Sequence, residues 1–346
     1  MSSAQRIEYL DLAKGFCILL VVFYHITFAY HVEMPCPAFF KAIRLPLYFF
    51  LSGCFFKTYK GFVDFLRRKT NKLLIPFVAW FVLLSILLPY LYTILGLRIF
   101  YVSDTPLFYN VLQLYRKETF LTASIWFLLC LFEVNILFYI IHIIANRMKE
   151  GMRLTAIVTL TSLCGFGGLL LSHFRVNIPF FLDSALTAMP FFAFGYLIFR
   201  QTALLQPCRH DRYIPIAVLL LGAFLFFCAG TFTLRTNDIH GLRNYMALYP
   251  CGFAGALLVV LLSKWIKRIP VIRWWGRYSI IILVTHDCIY KHIQYGLIHY
   301  HLAAPNGWTA ALINLAITMA ICSLCIPLAK RFLPHVTAQK DLIPNR

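Results

Sequence analysis

Residues 9–30 read YLDLAKGFCILLVVFYHITFAY. An apolar run of about 20 residues is what an α-helix needs to cross a hydrocarbon core of about 30 Å. This run carries Asp11 and Lys14 at its entrance and His25 deep inside. An ionisable group near a bilayer centre costs about 2.5–3.5 kcal/mol on insertion scales, so such groups are rare there and face a polar cavity or a partner. Lys14 and His25 are eleven residues apart. At about 100° per residue they return to within about 20° of one direction, with roughly 16 Å between them along the axis. They therefore share a face, and Asp11 lies one turn before Lys14 near the same stripe. Two readings stay open. Either Lys14 reaches out to the interface while His25 bonds a neighbouring helix, or the stripe leads into a site.

The rest of the chain extends this pattern. Of 346 residues, 61% are hydrophobic and 13% charged, with a mean hydropathy of +0.75; about a quarter of a soluble domain is charged. The expected fold is all-α, a polytopic membrane protein of about ten transmembrane helices. The spans fall near 12–32, 42–59, 73–95, 122–145, 154–173, 178–199, 213–233, 244–263, 278–300 and 308–330, within one membrane domain covering 1–346. With the N-terminus inside, 23 of the 32 Lys and Arg fall in cytoplasmic segments. The other side receives Lys41, Arg44, Arg98, Arg116, Lys117, Arg175, Arg235 and Arg243. That asymmetry predicts both termini inside and an even number of crossings. It also accounts for the net charge of +19 through short loops beside an anionic leaflet, without invoking nucleic acid. Eleven scattered cysteines, including Cys322 and Cys325, form no zinc set, and no metal is expected.

Four further segments carry candidate chemistry. In RLPLYFFLSGCFFK (44–57), Ser52-Gly53 permits a close helix approach or a local break, with packing as the role expected of Ser52. In FLRRKTNKLLIPF (65–77), Arg67, Arg68, Lys69 and Lys72 stand at a helix entrance, either as topology determinants or as a site for a polyanion; Lys69 and Lys72 lie one turn apart. SIWFLLCLFEVNILF (124–138) places Glu133 in mid-span, where a carboxylate marks function by default. GRYSIIILVTHDCIYKHIQY (276–295) gathers Ser279, His286, Asp287, Lys291 and His292, with Asp287 and Lys291 spaced to neutralise each other. The aromatic stretch 96–121 is expected to lie on the bilayer or to cap a site.

Together these segments resemble the acyltransferase 3 family of bacterial membrane acyltransferases, which modify cell-surface glycans. The Lys14-to-His25 spacing, LPLYFFLSG from Leu45, LLIPF at 73–77 and GRYSIIILVTH at 276–286 are similar to the family's pattern in order, and IWFLLCLF and PFFAFGYLI also look familial. Lysine stands at 14 where the family usually has arginine, and Lys69 and Lys72 stand where it has two arginines. The resemblance implies an acyl-CoA donor, chiefly acetyl-CoA, bound at Lys14, Arg67, Arg68, Lys69 and Lys72. It further implies catalysis involving His25, Glu133 and His286, with a glycan or lipid-linked saccharide as acceptor, in a bacterial inner membrane. A transporter or flippase of lipid-linked saccharides is the alternative, although the chain shows none of the internal repeat common in transporters.

Overall fold

In lipid a chain can satisfy its backbone polar groups only internally, so long apolar runs fold as helices. The computed structural model describes residues 8–94, 112, 115, 123–302 and 307–344. Helices make up 79% of it, with no strand among the described residues. The aromatic stretch 96–121 lies almost wholly outside the described residues.

Helix α1 is Glu8–Ala29 and α2 is Pro37–Cys54. A third, interrupted helix follows: α3 (Phe62–Lys69), α4 (Ile75–Val82) and α5 (Leu88–Ile94), joined by π-helical turns at Thr70–Leu74 and Leu83–Leu87. The later helices are α6 (Trp126–Asn146), α7 (Glu150–His173), α8 (Leu182–Gln201), α9 (Ile214–Cys228), α10 (Leu242–Ile266), α11 (Pro270–Arg277), α12 (Ser279–His299) and α13 (Trp308–Phe332).

By length and composition about seven helices qualify as spans rather than the ten expected, an odd number that does not reproduce the expected even count of crossings. Among the described residues, seven helices are long and apolar enough to cross: α1, α6, α7, α8, α9 with the short 3-10 turn before it, α10 and α13. The other three expected spans are helical but fall short for physical reasons. Helix α2 has only 18 residues and carries Lys41, Arg44 and an internal Pro46. The 73–95 run is split by π turns, and α12 carries Asp287 and Lys291 among its apolar residues. The exposed faces of α7, α9 and α13 bear Phe166, Leu219, Phe226, Phe227 and Leu324, a surface suited to lipid.

Helix α1 sits at the centre, packing on α2, α10, α11, α12 and α13. Two of its neighbours approach very closely. A Cβ added at Gly276 would lie 1.8 Å from the Asp11 carbonyl oxygen, and one at Gly15 would lie 1.9 Å from that of Ile272. Helices α1 and α11 therefore meet backbone to backbone through this glycine pair. Gly53 and Gly195 do the same for α2 and α8, the close approach expected of Ser52-Gly53.

The segment after α13 turns back beneath the bundle. Asn71 donates to the Ile343 carbonyl at 2.8 Å and accepts from the Leu342 and Ile343 amides at 3.0 and 2.9 Å. Trp80 donates to the Val336 carbonyl at 3.0 Å. The buried side chain of Asn71 thereby fixes a loop that has no helical ladder of its own.

Candidate functional site

Because α1 and α2 run in opposite directions, the start of α1 and the end of α2 lie at one end of the bundle, and the end of α1 and the start of α2 at the other. A cavity opens at each end. They meet at a shared wall of Tyr48, Phe127 and Leu283, where the rings of Tyr48 and Phe127 lie 5.3 Å apart.

The first cavity, about 420 Å³, is basic. Lys14, Arg68, Lys69, Lys72 and Arg277 line it, with Ser52, Phe55, Tyr59 and Asn135. The Lys14 ammonium sits 4.3 Å from the centre of the Phe55 ring, an arrangement in which the ring face helps to hold the cation in place. Arg68 is bound to Asp64 at 3.1 Å and lies over Tyr59. Lys72 pairs with Asp341 at 3.0 Å and donates to the Ala338 carbonyl at 2.9 Å, so the chain's final segment forms part of the mouth. Lys69 closes α3, outside the spanning helices; its partial burial pushes its pKa down to about 8. The π turn after it keeps Lys69 and Lys72 on the same cavity wall. Such a wall of ammonium and guanidinium groups suits a ligand with several phosphate oxygens.

The second cavity, about 250 Å³, is lined by Tyr24, His25, Lys41, Arg44, Ser124 and Arg235 among apolar side chains. His25 faces it from α1, and the His286 ring lies 5.4 Å from the His25 ring, centre to centre. His286 is fully buried. Its Nδ1 lies 2.9 Å from the Ile282 carbonyl, which can only accept, so Nδ1 carries the proton and the buried Nε2 keeps its lone pair. Next along α12, the Asp287 carboxylate accepts from the Ser124 hydroxyl at 2.9 Å and the Ser124 amide at 3.2 Å, and it lies 4.0 Å from the Lys291 ammonium. It is also close enough to both imidazoles to act on them electrostatically.

The structure thus unites His25 with His286, and Lys14 with Arg68, Lys69 and Lys72. Arg67 and Glu133 line neither cavity. The carboxylate beside the imidazoles is Asp287, which the sequence offered only as a neutralising partner for Lys291. Ser124, 163 positions away, has no local sequence signal linking it to Asp287. Arg44 and Arg235 were visible only as basic residues assigned to the side where few are expected.

No curated protein and no solved structure matches the chain. One family description does: an acyltransferase domain, matched over residues 7–328, which takes in the His25 cavity and all of the basic cavity's lining except Gln339 and Asp341. The segments singled out above, from the Lys14–His25 face to the His286 helix, all fall inside that match. The chain belongs to the acyltransferase 3 family and is a multi-pass membrane acyltransferase.

Proposed function

We propose that the protein transfers an acyl group, acetyl in the first instance, from acyl-CoA to a hydroxyl of a cell-surface or lipid-linked saccharide in the bacterial inner membrane. One observation carries this reading: two cavities at opposite ends of α1, the basic one at Lys14 and the imidazole-lined one at His25, separated by a single wall. The phosphates of CoA are held at Lys14, Arg68, Lys69 and Lys72 at the start of α1, which the expected N-in orientation assigns to the cytoplasmic side. Its pantetheine arm spans the roughly 16 Å between the levels of Lys14 and His25, bringing the thioester to the Tyr48–Phe127 wall. The saccharide enters the His25 cavity from the other leaflet.

A neutral imidazole can take up a proton from a hydroxyl and pass it on, which suits a general base. His25 takes the proton from the acceptor hydroxyl as its oxygen attacks the thioester carbonyl carbon. The C–O bond forms, the C–S bond breaks, and the departing CoA thiolate takes the proton from His25. His286 and Asp287 orient and stabilise the imidazolium that forms in between, and Ser124 and Lys291 hold Asp287 in place.

The test supplies acetyl-labelled acetyl-CoA to inside-out membrane vesicles and follows free CoA and label on saccharide. Replacing His25 by Ala lowers the rate by about 10²–10⁴, the usual contribution of a general base, while donor affinity is unchanged. An undiminished rate in that variant would sink the assignment. Movement of saccharide across the membrane without CoA release would instead favour a flippase.

A further inference from the structure

Helix α6 turns one face to the basic cavity, lined by Phe127, Leu128, Leu131 and Asn135 at the spacing of successive turns. Asn135 is the polar member of that face, eight residues from Phe127 and so about 12 Å along the axis from the shared wall. Its side chain is 1% exposed. The amide is held one way round. Its Nδ2 donates to the Leu131 carbonyl at 2.7 Å, and because a carbonyl only accepts, Oδ1 must be the other end. That oxygen has no hydrogen bond among the described residues, and it is closed off from solvent, so water does not supply the missing donor.

A buried acceptor without a donor is costly, and native structures keep few of them. Bonding back to its own helix does not account for this one. Thr161, Thr285 and Ser323 reach the carbonyl four residues back with a hydroxyl, which leaves no amide oxygen over. An apolar side chain, as at Leu128 and Leu131, would pack on the same face with nothing to satisfy. What an asparagine adds here is an acceptor beside the path from the cations to the wall. Phosphate oxygens and a thioester carbonyl only accept, so neither can serve it. The pantetheine arm between them carries two amide N–H groups that can. With the thioester at the level of Phe127, the amide nearer the phosphates comes closest to the level of Asn135. The last torsion of an asparagine is soft, so a small turn brings Oδ1 to a donor on the arm.

We infer that Asn135 is a donor-binding residue, whose Oδ1 accepts from the pantetheine amide N–H nearer the phosphates and so sets how far the thioester advances toward the Tyr48–Phe127 wall. This rests on the proposed function for acyl-CoA as the donor. It makes the arm, and not only the phosphates, a requirement for tight binding.

The experiment measures binding without acceptor, so it does not depend on acyl transfer. Full-length protein is placed in phosphatidylcholine nanodiscs, and calorimetry compares three ligands: CoA, adenosine 3′-phosphate 5′-diphosphate, which keeps the phosphates and lacks the arm, and a CoA analogue with an ester oxygen replacing that amide N–H. Asn135→Leu should weaken CoA about three- to tenfold, the loss of one hydrogen bond. It should leave the armless nucleotide unchanged, which also shows that the variant is folded. Wild type should bind the ester analogue more weakly than CoA by a similar factor, and Asn135→Leu should bind the two equally, because the same contact cannot be lost twice. Where Asn135→Leu fails to fold, the wild-type comparison of CoA with the ester analogue decides alone. Equal wild-type affinity for CoA and the ester analogue overturns the inference. So do losses that add in full, and an Asn135→Leu variant that weakens the armless nucleotide as much as CoA, because the residue then only supports the fold. No binding of either CoA or the nucleotide would fail the proposed donor and this inference with it; CoA binding indifferent to both the variant and the ester would fail the inference alone.

Discussion

Gly276 offers the most direct test of how the donor cavity is built. A methyl group there would be placed 1.8 Å from the Asp11 carbonyl oxygen and 2.6 Å from the Gly15 amide nitrogen, both main-chain atoms that no rotamer change can move. Carbon and carbonyl oxygen approach no closer than about 3.3 Å, so α1 and α11 would have to separate by about 1.5 Å. Overpacking of this kind costs about 1–3 kcal/mol, and the rigidity of both partners puts Gly276→Ala at the upper end. The roughly 1 kcal/mol by which Ala exceeds Gly in helix propensity returns part of it, for a net loss of about 2 kcal/mol. The displaced neighbours line the proposed donor cavity: Arg277 follows Gly276 and Lys14 precedes Gly15. Losing one charge-assisted contact to the donor weakens acetyl-CoA binding by about tenfold. Thermal unfolding of purified protein, followed by tryptophan fluorescence, and donor titration measure the two effects. Gly167→Ala is the matched control, since a Cβ there meets nothing within 4 Å. If Gly276→Ala unfolds no earlier than Gly167→Ala and binds donor equally well, the backbone contact does not shape the cavity and the reasoning fails.

Three more outcomes follow from named contacts. Lys69, with its pKa pushed down to about 8 by burial, can serve the proposed donor site as a phosphate-binding cation only while protonated. Donor affinity should be flat below pH 8 and then fall by up to about tenfold per pH unit, a slope that Lys69→Arg removes; a flat wild-type titration from pH 7 to 9.5 would contradict this. Asp341→Asn frees Lys72 from a partly exposed pair worth at most about 1 kcal/mol, so acetyl-CoA should bind up to about fivefold more tightly, and weaker or unchanged binding would show that the pair does not compete with donor. Lys264 is buried and donates to the carbonyls of Leu204 at 2.9 Å and Gln206 at 2.7 Å and to Asp211 at 2.6 Å. Lys264→Met removes the donor from both carbonyls and leaves Asp211 only its contacts to Cys208, at a cost of about 2–3 kcal/mol, read as a lower unfolding temperature with donor affinity intact.

How much of this the sequence disclosed follows from the range of the interactions. Helix periodicity is local, so the shared face of Lys14 and His25 and the pairing of Lys69 with Lys72 could be read directly. Span counting was less secure, because α2 and α12 mix charge with apolar residues and the helix after α3 is broken by π turns; hydropathy registers the run and not the interruption. Glu133 attracted attention because a mid-span carboxylate is rare, yet burial cost alone does not say which way a side chain faces. Asp287 looked like half of a helical ion pair until the fold brought Ser124 to it from 163 positions away. The clamp of Asn71 on Leu342 and Ile343, across 271 and 272 positions, is invisible for the same reason.

The wall of Tyr48, Phe127 and Leu283 has a bioenergetic consequence. With one cavity on either side of so thin a partition, the protein comes close to being a pore, and a continuous file of water between them would let protons run down the membrane's electrochemical gradient. Tyr48 and Phe127 are nearly fully buried and packed ring against ring, leaving little room for such a file. In the proposed reaction only the acyl group and the one proton that His25 returns to the CoA thiolate pass this point, and no continuous water path is needed for either. Trimming these side chains to Ala should therefore cost the cell its proton-motive force before it costs the enzyme its substrates.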